Sequence, residues 1–72
     1  MATVRVGEKT FRARRKGNKV QIFELRDDVW LLVAKAHWGE GSVQECDVEL
    51  GETPEETVEI LEALDIALAK EA

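Results

Sequence analysis

Few residues in this chain are able to do covalent chemistry. The single histidine, His37, stands beside Trp38 just before Gly39, and the single cysteine is Cys46. One of each excludes an intramolecular disulfide and leaves too few soft ligands for a structural zinc. Thr10, Ser42 and Thr53 lie near turns with no histidine close in sequence to act as a base. Gly39-Glu40-Gly41 lacks the spacing of a phosphate-cradling loop. Glu45, Asp47 and Glu49 would line one side of a strand at steps of about 6.8 Å, a poor cage for a divalent cation. No catalytic residue, metal or cofactor is assigned, and the expectation is a protein that binds rather than an enzyme.

Charged and aromatic residues are more informative. Phe11-Arg12-Ala13-Arg14-Arg15-Lys16-Gly17-Asn18-Lys19 is the densest basic stretch. Cations interleaved with rings suit single-stranded nucleic acid, whose bases stack on aromatics while a basic groove follows the backbone. That reading selects Arg5, Arg12, Arg14, Arg15, Lys16, Lys19, Phe11 and Phe23. The competing reading makes Arg12 and Arg14 part of a solvated or dimer-facing strand, Arg15–Lys19 a polar hairpin, and the tryptophans core. A third function is mimicry of nucleic acid by Glu45, Asp47, Glu49, Glu52, Glu55, Glu56, Glu59, Glu62 and Asp65, against a plain solvated helix face with glutamates favoured by the helix dipole.

The charge is segregated along the chain. Residues 1–26 hold eight Lys/Arg and two acids, a net of +6, whereas residues 27–72 hold two Lys and thirteen acids, a net of −11; together they make the formal −5. An acidic half weakens long-range attraction to phosphate and favours the competing reading.

Seventy-two residues and 44% hydrophobic content describe one small ordered domain, too short for most enzyme folds. No apolar run approaches the roughly 20 residues of a membrane span. Met1-Ala2-Thr3-Val4-Arg5 is not the apolar stretch of a signal peptide, so the expected setting is the cytoplasm, with Cys46 reduced.

Turn signals at Gly7-Glu8, Gly17-Asn18, Arg26-Asp27-Asp28, Gly39–Ser42 and Gly51-Glu52 recur at intervals of about ten residues, as in short antiparallel strands. They predict strands over Thr3–Val6, Thr10–Arg15, Lys19–Leu25, Val29–Trp38 and Val43–Leu50. Val29–Trp38 also has a helical reading, with Asp28 as its N-cap and Gly39 as its stop; its unbroken apolar run and strand-like flanks favour the strand. Thr53-Pro54-Glu55-Glu56 is a capping box with proline at the first helical position, and Ile60, Leu61, Leu64, Ala67 and Leu68 form one apolar stripe. The expected fold is α+β: an antiparallel β-meander of four to five strands, about residues 3–50, with one C-terminal amphipathic helix, about 54–71, on one sheet face. It is a single domain over residues 1–72.

Strict alternation then assigns faces. Val4, Val6, Phe11, Ala13, Val20, Ile22, Trp30, Leu32, Ala34, Ala36, Trp38, Cys46, Val48 and Leu50 form the bed of the helix. The opposite face carries Phe23, Leu25, Leu31 and Val33 at its centre. One helix is about 10 Å across and five strands span roughly 24 Å, so this second face has no cover within the chain. An exposed apolar patch marks an interaction site, and a second copy stacked about a two-fold axis is the simplest partner. The first functional expectation is therefore a sheet-mediated homodimer acting as a small binding module for a protein partner whose identity the sequence leaves open, with Phe23, Leu25, Leu31 and Val33 at the interface and no membrane partner.

Overall fold

The regular turn spacing produces five strands, followed by a helix. In the computed structural model, which describes residues 1–71, they are β1 (Ala2–Val6), β2 (Lys9–Lys16), β3 (Lys19–Arg26), β4 (Val29–Gly39) and β5 (Ser42–Gln44), then α1 (Pro54–Ala69). The strands form one antiparallel sheet in chain order, β1-β2-β3-β4-β5. The fold is the α+β meander with a C-terminal helix that the spacing predicts, and the contested segment Val29–Trp38 is a strand. Among the described residues no helix is long and apolar enough to cross a membrane.

Two of the tight turns are made without glycine at every left-handed position. Asp27 and Asp28 have φ of 49° and 65°, and Glu40 precedes Gly41 with φ of 54° and 77°. Positive φ at both central residues is the geometry whose twist matches the strands of a two-residue hairpin. Aspartate tolerates that region better than most side chains, at some cost relative to glycine.

The helix starts as its sequence dictates. Thr53 is the N-cap, its Oγ1 accepting from the Glu56 N–H at 3.1 Å, with Pro54 in the first turn. The Glu56 carboxylate does not close a reciprocal box on Thr53; its Oε1 accepts from the Glu52 N–H at 3.4 Å and pairs with Lys9 at 3.3 Å. The chain enters the helix so closely that a Cβ on Gly51 would stand 2.7 Å from the Glu56 Cβ and 2.8 Å from the Thr57 nitrogen. Only glycine fits there. The Gly51 N–H meanwhile donates to Thr57 Oγ1 at 2.9 Å.

Ile60, Leu64 and Leu68 are the buried stripe of α1 and meet Phe11, Ala13, Val20 and Ile22 from the central strands. The helix touches the sheet mainly at β1 and β5, its two edges, so the sheet curls around it. One polar bond ties helix to edge: Asp65 Oδ1 accepts from the Val43 N–H at 2.7 Å. Beyond the helix, on the same face, Glu24 is nearly buried and accepts from Arg26 at 2.8 and 3.2 Å.

Two expectations are corrected. The last strand is three residues long rather than Val43–Leu50. Glu45 takes φ of 55° and turns the chain out of the ladder. Asp47 then returns to β4, its N–H donating to the Lys35 carbonyl at 3.1 Å while its Oδ1 accepts from the Lys35 N–H at 2.9 Å. Alternation therefore fails past Gln44: Leu50 is buried and Cys46 packs on the core, but Val48 is exposed.

The second correction concerns β4. Phe23 lies opposite Leu32, whereas its neighbour Ile22 lies opposite Ala34, so Val33 is an extra residue, a β-bulge. Above the bulge Ala34 and Ala36 face the helix side, as alternation predicts. Below it the parity reverses. Trp30 and Leu32 leave the helix side and join Leu25 and Phe23 on the other face. Leu31, opposite Glu24, and Val33, packed on the core, do not belong to the open face where alternation puts them.

Candidate functional site

The face of the sheet turned away from α1 is the candidate site, and the register orders its side chains in rows. Lys16, Lys19 and His37 lie directly opposite one another across β2, β3 and β4. The next row is Arg14, Gln21 and Lys35, and the third is Arg12, Phe23 and Leu32. Leu25 and Trp30 follow beside the Asp27-Asp28 turn. One end of the face is thus cationic and the other apolar.

Arg12 joins the two ends. Its guanidinium lies over the Trp30 ring, 4.0 Å from the centroid, a contact that holds the cation without neutralising it. Its Nε is buried and has no hydrogen-bond partner among the described residues. At the cationic end Arg14, Lys16, Lys19, Lys35 and His37 surround a shallow open cavity of about 660 Å³, bounded beyond β4 by Glu45 and Asp47. His37 Nε2 is 3.8 Å from Glu45, and both side chains are exposed. That pair has no buried base or nucleophile beside it, and Asp47 is engaged with the Lys35 backbone.

The residues selected from sequence divide between the two faces. Arg5, on edge strand β1, and Arg12, Arg14, Lys16, Lys19 and Phe23 share the open face. Phe11 does not: it is 0% exposed beneath the helix and offers no ring to a ligand. Arg15 stands on the helix side, its Nε donating to the Gly17 carbonyl at 2.7 Å and its guanidinium 5.0 Å from the Trp38 ring. Of the interface residues, Phe23 and Leu25 remain on the face and Leu31 and Val33 leave it. The acids grouped as a phosphate mimic are partly engaged within the fold, Asp65 with Val43 and Glu56 with Lys9.

Trp30, one of the rings the sequence offers for stacking, and Leu32 were assigned to the helix side, and Lys35 and His37 were given no part in binding. The last two come from the acidic half of the chain and meet the basic strands only through β3–β4 pairing. A signal for the first two was present. A two-residue turn at Asp27-Asp28 itself sets Trp30 opposite Leu25 and Leu32 opposite Phe23.

Compared with known protein families, curated proteins and solved structures, the chain matches none.

Proposed function

We propose that the chain is a non-enzymatic binding module that works as a homodimer, two copies pairing through the open faces of their sheets. The supporting observation is the apolar end of that face. Phe23, Leu25, Trp30 and Leu32 gather there, with Leu32 46% and Leu25 36% exposed, and no element of the described residues lies over them. Burying apolar surface stabilises by about 25 cal/mol per Å², and a two-fold axis through the patch presents each copy with its own complement. Four side chains supply less than the roughly 800 Å² per partner of a standard stable interface, so pairing depends on concentration. A cytoplasmic setting, in which the lone thiol of Cys46 stays reduced, belongs to the same reading.

Sedimentation equilibrium from micromolar to near-millimolar protein tests it. The mass is expected to rise from 8.1 kDa toward twice that value, and Leu32→Lys to hold the chain at the monomer mass throughout. Leu32 is exposed in the single chain, so circular dichroism should report an intact fold in that variant. A wild-type chain that stays monomeric at the highest concentration refutes the pairing. A Leu32→Lys chain that pairs as well as wild type refutes the assignment of the face.

A further inference from the structure

The cationic end of the same face is arranged at the expense of the sheet. Lys16 lies directly opposite Lys19. Like charges in directly opposed positions destabilise a sheet. The chain has 15 acidic residues with which to neutralise them, yet Arg12, Arg14, Lys16, Lys19 and Lys35 form no ion pair among the described residues. The pairs that do form lie elsewhere, Lys9 with Glu56, Arg26 with Glu24, and the N-terminal amine with Glu71; at the trough only His37 approaches a carboxylate. Four formal positive charges therefore converge on one shallow cavity whose only carboxylates, Glu45 and Asp47, stand at its rim and pair with none of the four among the described residues.

We propose that this trough, formed by Arg14, Lys16, Lys19 and Lys35, binds the phosphodiester backbone of a single-stranded nucleic acid. The positions suit a ligand of regularly repeated charge. Arg14 and Lys16 are two residues apart on one strand, about 6.8 Å, and the rows step across strands at about 4.8 Å. Arginine offers phosphate a bidentate fork and lysine a mobile point charge. The trough is two strand spacings wide, roughly 10 Å, and ends at Glu45 and Asp47. One strand fits between β2 and that acidic rim; a duplex brings its second strand over the carboxylates. Recognition through phosphates alone is independent of sequence. The inference names a ligand for the binding module proposed above, but it does not depend on the copies pairing, because a single chain carries the whole trough.

Fluorescence anisotropy with a labelled oligothymidylate, a duplex of equal length and labelled polyglutamate tests this at about 50 and 200 mM salt. Four contacts on a single strand correspond to a slope of about −2.8 in log K against log salt, so binding should weaken roughly 50-fold over that interval. Lys16→Ala combined with Lys19→Ala should halve the slope to about −1.4. Its melting temperature should not fall, since the substitution removes opposed like charges, which separates lost binding from lost fold. Lys70→Ala, beside β1 at the C-terminal end of α1 and outside the lining of the trough, should leave binding unchanged. Leu32→Lys, which adds a cation one row from the trough, should bind at least as tightly as wild type, so failed pairing and failed binding are read separately. Absence of binding at the lower salt, an unchanged slope in the double variant, or equal or tighter binding of the duplex or polyglutamate overturns the proposal.

Discussion

Deleting Val33 is the sharpest test of how β4 builds the open face. Leu32 lies opposite Phe23 and Ala34 opposite Ile22, with Val33 as the unmatched residue between. Without it the two halves of the strand join as a regular ladder, and each side chain keeps the face it has now. The loss is the packing of one partly buried valine on the core, about 1 kcal/mol when full burial of such a side chain contributes 1.5–3. A continuous ladder returns roughly 0.5 kcal/mol, leaving a net loss of about 0.5–1 kcal/mol and a drop in melting temperature of about 5 °C for a domain of this size. In a strand that alternates strictly, the same deletion reverses every residue on one side of the gap. It would drive either Lys35 and His37 or a run of mismatched residues under the helix. That costs several kcal/mol, comparable with the whole stability of a 72-residue domain, on the order of 4–11 kcal/mol. Urea unfolding followed by circular dichroism, with the slope unchanged, measures the difference. A chain that does not fold, or that loses more than about 3 kcal/mol, would refute the bulge.

Two further substitutions probe what holds the scaffold. Asp65→Ala strands the Val43 N–H at the edge of the helix contact; the loss of a hydrogen bond to a charged group is about 1.5–3 kcal/mol, or a fall of roughly 10 °C or more, while Asp65→Asn should lose much less. Equal melting of the two variants would show that the bond does not tie α1 to β5. Asp28→Gly relieves a side chain held at φ of 65° and should raise stability by about 0.5 kcal/mol, the left-handed penalty being partly offset by the extra freedom of an unfolded glycine; a lowered midpoint in thermal melts would show that the aspartate is not strained there.

Much of the architecture was legible because it rests on local rules. Turn residues every ten positions set the number of strands, and each strand is too short to need more than its neighbours. Thr53, Pro54 and the stripe from Ile60 to Leu68 define the helix by capping and periodicity, which operate within a few residues. The fifth strand was overestimated because Val43–Leu50 alternates well, yet nothing local signals that Asp47 has a better partner in the Lys35 backbone, twelve positions away.

By itself, then, the sequence determined a meander of four to five strands, a capped helix laid on one of its faces, and a second face left without cover. Which side chains occupy that second face was decided only in three dimensions. The Asp27-Asp28 hairpin demands one parity for β4, with Trp30 opposite Leu25; the small residues Ala34 and Ala36, which lie on the helix side, demand the other. Because Val29 to Ala34 is apolar throughout, hydrophobic alternation cannot see the conflict, and a single extra residue at Val33 reconciles both demands. The same register carries Lys35 and His37 out of the acidic half to stand beside Lys19 and Arg14. Strand pairing joins residues by their distance across the sheet, and that distance is not written in their separation along the chain.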